Sequence, residues 1–329
     1  MRLRRHIWRG LAFAALSAAV QGTAKQAEAQ LAREPGPVLG TPAAVLGTPV
    51  LPTESEFALS QLRNQRVLDA RVATRFNLKR HFHERGIRYP AAEMFIRIFK
   101  RERTLELWVR PEDGAGFELL KNYDICALAG ELGPKRQQGD SQVPEGFYAI
   151  DFFNPESDYL LSLHVDYPNV KDRSTGGDVS LGGDIFIHGG CNSDGCLALT
   201  DDGIMELYWM AVEARAAGQE RIPVHIFPAR LDAAELERLQ RVFAEEPELG
   251  SFWATLKPGY EFFEQNRRIP AVMVDGTGDY VVVGEAANAS VPVAFLPGVG
   301  PASSRGQASA DENAGETRRP PLGSRIQGN

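Results

Sequence analysis

The chain has 329 residues, 43% of them hydrophobic, and a formal net charge of −7. That is enough apolar material for a sizeable core, and the acidic balance argues against nucleic acid as a partner. The three cysteines, Cys126, Cys191 and Cys196, are too few for a disulfide scaffold, and their odd number implies at least one free thiol.

Residues 1–29 have the three parts of a secretory signal: a basic start with Arg2, Arg4, Arg5 and Arg9, an apolar run over 10–20, and a small-x-small site at Ala27-Glu28-Ala29. The apolar run is too short to span a bilayer, so a cleaved signal is expected, with no membrane-spanning segment after cleavage. Arg4-Arg5 also permits a twin-arginine exporter. Cleavage removes five positive charges and one negative, moving the net charge from −7 to −11. Residues 30–53 repeat Val-Leu-Gly-Thr-Pro at 38–42 and 45–49 and read as a low-complexity linker.

Residues 54–90 are a helical segment, with Leu68, Val72 and Phe76 at four-residue spacing as its expected packing face and Gly86 as its stop. Strand signals follow at 94–100, 104–110, 117–126, 146–152, 160–165 and 184–188, with turn residues at 111–114 marking a hairpin. Thr200-Asp201-Asp202-Gly203 starts a helix whose apolar face is Ile204, Leu207, Tyr208 and Val212. A strand at 224–227 and helices at 232–245 and 252–265 complete a mixed, mainly antiparallel β-sheet with peripheral helices, an α+β domain over 91–275. Residues 276–329 form a C-terminal extension, expected to be disordered from about 298 because it lacks any apolar period.

The chemistry concentrates in Ile185-Phe186-Ile187-His188-Gly189-Gly190-Cys191-Asn192-Ser193-Asp194-Gly195-Cys196, a strand ending on histidine and a glycine-rich loop ending on cysteine. A thiol attacks only as thiolate, and a nearby imidazole is the usual means of making one. Cys196 is therefore the candidate nucleophile and His188 its general base. With a helix start a few residues on, Cys196 is also expected near helix N-terminal amides. The backbone N–H groups of Gly195 and Cys196 are the candidate oxyanion donors. Ser193 is a candidate for loop bonding and substrate contact. His164 and His225 sit in apolar strands with no nucleophile nearby and read as structural. His188, Cys191 and Cys196 fall one ligand short of a structural zinc site, so no metal is expected.

His188-Gly189 followed by Ser193-Asp194-Gly195-Cys196 resembles the signature of the L,D-transpeptidase catalytic domain (YkuD-like). Ile98-Phe99-Lys100, Leu132-Gly133-Pro134-Lys135, Pro144-Glu145-Gly146-Phe147-Tyr148, Tyr167-Pro168-Asn169 and Ile222-Pro223-Val224-His225-Ile226-Phe227-Pro228 extend the resemblance to the YafK-like Gram-negative branch, over residues 60–275. It implies a periplasmic cysteine enzyme without cofactor, acting on peptidoglycan peptide stems through an acyl-enzyme at diaminopimelate. The carbonyl next to the histidine, here that of Gly189, would orient the imidazole. Many members carry histidine where this chain has Asp194, so no second imidazole is expected. Both Cys126 and Cys191 fall in blocks shared with the branch, and a disulfide between them would leave Cys196 free. The branch also includes an amidase that releases a wall-linked outer-membrane lipoprotein, and a non-catalytic wall-binding module remains a third reading. A papain-like protease would place its cysteine before its histidine, and a penicillin-binding serine enzyme would need a Ser-x-x-Lys tetrad.

Overall fold

A computed structural model describes residues 55–111, 114–287 and 293–297, all within one compact unit, Pro52–Asn329. The expected signal, the linker and the chain beyond 298 lie outside the described residues, as do Glu112 and Asp113 of the hairpin turn.

Two helices lead: α1 (Glu56–Gln61), capped by the Ser55 hydroxyl, and α2 (Gln65–Glu84), capped by the Asn64 side chain. Gly86, at φ +67°, follows the Arg85 cap of α2 and ends it as expected. The packing face differs from expectation. α2 buries Val67, Ala70, Thr74, Leu78 and Phe82, while Leu68, Val72 and Phe76 point outward, 38%, 73% and 76% exposed. Both rows have helical spacing, and the row with small side chains at its centre is the one that packs against the domain.

The strands are β1 (Glu93–Phe99), β2 (Thr104–Arg110), β3 (Glu118–Asp124), β4 (Ala127–Leu128), β5 (Gly146–Asn154) and β6 (Ser162–Val165). After α3 (Val170–Gly176) come β7 (Ile185–His188) and β8 (Leu197–Ala198), then α4 (Asp201–Ala216) and β9 (Ile222–Phe227). Helices α5 (Ala233–Val242) and α6 (Pro247–Asn266) precede β10 (Pro270–Val274), β11 (Tyr280–Glu285) and β12 (Ala294–Phe295).

Among the described residues, nine strands form one sheet in the order β3-β2-β1-β9-β5-β6-β7-β8-β4, parallel only at β1–β9 and β7–β8. The mixed, mainly antiparallel sheet and the expected hairpin are both present. β1 is buried at every position from Met94 to Phe99 because both faces are covered. Met94, Ile96 and Ile98 join the core that holds α2 and α4, while Phe99 packs with Trp253, Leu256 and Tyr260 of α6. α4 buries Ile204, Leu207, Tyr208 and Val212 as expected.

Three features were not read from the sequence. α3 starts on a capping box between Asn169 and Asp172, a signal that Asn-x-x-Asp carries weakly. β4 and β8 are two residues each, too short for any periodicity. β10, β11 and β12 form a separate sheet across position 275, with β10 and β11 joined through the Asp275–Asp279 turn.

A fully buried ion pair braces the loop between β4 and β5. Lys100 Nζ lies 3.1 Å from Glu145 Oε1, with both side chains 0% exposed. Lys100 also donates to the carbonyls of Gly133 and Val143 at 3.0 and 2.9 Å. Glu145 accepts from Gly133 N–H at 2.7 Å and Trp253 Nε1 at 2.8 Å. Burial pushes the Lys100 ammonium below its ordinary value, and Glu145 opposes that push.

Candidate active site

The parallel pairing of β7 with β8 sets the histidine and the cysteine at the ends of adjacent strands. Ile187 is in register with Leu197 and His188 with Ala198. Strand alternation then places Phe186 and His188 on the same face as Ala198 and Cys196, opposite the core residues Ile185, Ile187 and Leu197. Cys196 stands just before β8, and the backbone N–H of Phe186 reaches its sulfur. The thiol itself donates to the Asp184 carbonyl at 3.5 Å.

His188 is buried and oriented. Its Nδ1 lies 2.6 Å from the carbonyl oxygen of Gly189. A carbonyl only accepts, so Nδ1 carries the hydrogen and Nε2 is the ring's basic nitrogen. The ring stacks on Tyr159, with centroids 4.5 Å apart and planes at 30°. The Tyr159 carbonyl accepts from Gly189 N–H at 3.1 Å, and the His188 carbonyl accepts from Leu199 N–H at 2.8 Å.

The intervening loop is tied at several points. Gly190 N–H donates to Asp201 Oδ1, in the first turn of α4, at 2.9 Å. Ser193, read as a substrate contact, donates its hydroxyl to the Cys196 carbonyl at 2.6 Å, so any substrate contact would use its lone pairs. Asp194 accepts from the Ser141 hydroxyl. Cys191 is bonded to Cys126, with Cα atoms 5.3 Å apart, which realises the disulfide implied by the resemblance and takes Cys191 out of the metal-ligand pattern. Cys196 is the free cysteine among the described residues.

Two glycines are required here. At Gly189 a Cβ would lie 2.7 Å from Asp201 Oδ1, 2.9 Å from Ile204 Cγ2 and 2.9 Å from the Tyr159 carbonyl. Gly195 has φ +97°, a conformation that L side chains rarely adopt.

The expected activation by helix amides is not found. α4 begins at Asp201, with β8 lying between it and Cys196. The backbone donor at the sulfur comes from Phe186 instead. Burial pushes the Cys196 thiol up, Asp184 and Asp194 add to the rise, and Phe186 N–H and Lys135 oppose it. Burial likewise pushes the His188 imidazole down, against the Gly189 carbonyl. Both shifts favour the uncharged forms, thiol and neutral imidazole.

His164 and His225 behave as expected. His225 is buried between the Phe95 and Phe147 rings and held well below its ordinary value by burial and Arg97. His164 is bonded to Asp151 at 2.6 Å. Lys135 is buried, donates to the Gln137 carbonyl at 2.8 Å and pairs with Asp140.

No family model matches the chain. It is 40% identical over 191 residues to YafK of Escherichia coli strain K12, named as a candidate L,D-transpeptidase; the match covers 57% of this chain and 73% of YafK. The O157:H7 counterpart matches to the same extent. Among solved structures, the helical cell shape determining protein Pgp2 of Campylobacter jejuni aligns with a TM-score of 0.34 and 21% identity, over 53% of this chain and 57% of that one. Bd1075 of Bdellovibrio bacteriovorus gives 0.30 and 21%, over 47% and 56%. The chain thus spans little more than half of either solved structure, and superpositions this loose bear no weight. The relationship to YafK does: this chain belongs to the L,D-transpeptidase family.

Proposed function

We propose that the protein is an exported cysteine acyltransferase of the bacterial envelope, cross-linking peptidoglycan stems or attaching a protein to them from an acyl-enzyme on Cys196. The observation that carries this reading is the 2.6 Å bond from His188 Nδ1 to the Gly189 carbonyl, which leaves Nε2 as the base on the sheet face shared with Cys196.

In the proposed cycle Nε2 takes the Cys196 proton as sulfur attacks the carbonyl at the L-centre of diaminopimelate in a tetrapeptide stem. Backbone N–H groups of Gly195 and Cys196 receive the oxyanion. The intermediate collapses by breaking the C–N bond to D-alanine, whose amine takes the proton from Nε2. An acceptor amine then attacks the thioester and gives a proton to Nε2, which returns it to sulfur as the new amide forms. A raised thiol and a lowered imidazole suit this general-base route, in which the proton moves during attack and no ion pair exists beforehand.

The test is incubation of the protein and its Cys196→Ala variant with Gram-negative muropeptides, including lipoprotein-linked ones, and mass analysis of the products. New cross-links or D-alanine exchange, absent in the variant, establish the transpeptidase. Release of the lipoprotein's terminal peptide without cross-links would replace it with the amidase, and no Cys196-dependent product would leave a wall-binding module.

A further inference from the structure

The outward face of α2 is not needed to fold the domain. Its packing is done by Val67, Ala70, Thr74, Leu78 and Phe82, yet Leu68, Val72 and Phe76 form a continuous apolar ridge on the opposite side, Val72 and Phe76 being 73% and 76% exposed. Three large apolar residues in a row differ from the scattered single exposures normal on a protein surface. Beside the ridge runs a second row at the same spacing, Arg71, Arg75 and Lys79, and the two rows line a shallow groove of about 590 Å³. Arg71 lies over Trp209 and Lys79 over Tyr89, which holds the cations along one edge of the ridge.

The charge is local. Residues 56–85 carry seven arginines and lysines against Glu56, Asp69 and Glu84, in a chain whose net charge is −7. Glu213 of α4 acts on Arg71 and Arg75, but the row of three cations keeps a net positive charge beside the ridge, which favours an anionic and apolar occupant. The groove is lined by α2 alone, so no second wall exists to clasp a partner helix. A second copy docking through the same face would set one cationic row near the other. A flat, deformable surface with phosphates outside and acyl chains beneath meets both requirements.

We propose that α2 is a membrane-association face, with Leu68, Val72 and Phe76 entering the headgroup region of an anionic phospholipid bilayer and Arg71, Arg75 and Lys79 on its phosphates. It would hold the domain at a bilayer surface without a spanning helix; among the described residues none is long and apolar enough to span.

The test is co-sedimentation of the compact unit Pro52–Asn329 with phosphatidylglycerol-rich and with pure phosphatidylcholine vesicles. This unit lacks the apolar run at 10–20, which would itself partition into lipid. Binding is expected to the anionic vesicles, weaker in high salt, and reduced at least ~10-fold in Val72→Asp/Phe76→Asp. The variant's melting temperature and Cys196 alkylation rate should be unchanged, which separates this result from any failure of the catalytic reading. No binding to anionic vesicles, equal binding to neutral ones, or full binding by the variant would overturn the proposal. Wild-type dimerisation without vesicle binding would also overturn it and assign the ridge to a second copy.

Discussion

Cys191 lies between His188 and Cys196 in sequence and is bonded to Cys126, whose backbone N–H donates to the Ala198 carbonyl of β8 at 3.0 Å. The disulfide thus pins the loop between His188 and Cys196 to the strand region that flanks the proposed nucleophile. It closes a loop of 65 residues, which corresponds to about 4 kcal/mol in the chain-entropy account. Cys126→Ser/Cys191→Ser should lose stability of that order in denaturant unfolding and turn over more slowly. Unchanged turnover would show that the hydrogen bonds of Gly190 and Ser193 hold the loop by themselves.

Cys196→Ala should abolish turnover with an unchanged far-UV spectrum, and His188→Ala should cost a factor of roughly 100 to 10,000. The pH profile carries more information. The proposed route needs neutral His188, whose imidazole is pushed down by burial, so the acid limb should fall below the ordinary histidine range. Alkylation of Cys196 should keep rising past 9.0, since the thiol is held above that value. An alkylation plateau near neutrality would reveal a resting thiolate and contradict the general-base route.

Gly189→Ala would drive a methyl group to 2.7 Å from Asp201 Oδ1 and 2.9 Å from the Tyr159 carbonyl. Backbone must move, at about 1–3 kcal/mol, and the carbonyl that orients His188 moves with it. A lower melting temperature together with a loss of turnover larger than that of Ser193→Ala is expected, measured by thermal melts and muropeptide conversion.

Lys100→Met should be among the most damaging changes outside the site. It leaves the Glu145 carboxylate buried without its cation, at about 3–5 kcal/mol, and takes one donor from each of the Gly133 and Val143 carbonyls, Gly133 keeping Gln142 Nε2. Lys100→Met/Glu145→Gln should recover part of that loss in denaturant unfolding, because no unpaired charge remains.

Asp172 makes stability fall with pH across the near-neutral range. Burial holds its carboxyl up at about 7, against 3.8 for the free side chain, with Asn169 N–H and Tyr148 opposing. The fold therefore favours the protonated form. That contribution is complete below about pH 4 and is lost as pH rises through 7. Asp172→Asn should flatten this part of the melting-temperature profile, and an unaltered profile would show that Asp172 titrates normally.

Much of the fold is legible where local physics and burial agree. β1, β2 and β9 are buried almost end to end because helices cover both sheet faces, with Arg97, Glu106 and His225 the polar members of otherwise apolar strands, and α4 shows one apolar period beginning at a Thr200 cap. Legibility ends where a signal is short or doubled. β8 has two residues, and α2 carries two rows of helical spacing, of which the row with Ala70 and Thr74 packs and the bulkier row stays outside.

The division holds at the site. Residue types, their order and the glycines are local matters, so His188, Cys196 and the loop between them could be named as candidates from the sequence by itself. Protonation state, disulfide partner and the donor at the sulfur depend on which atoms are excluded from water and what stands opposite. Those were decided only when β7 and β8 paired in parallel, setting Phe186 N–H at the thiol, burying His188 and half-burying Cys196, because desolvation and register belong to the assembled chain.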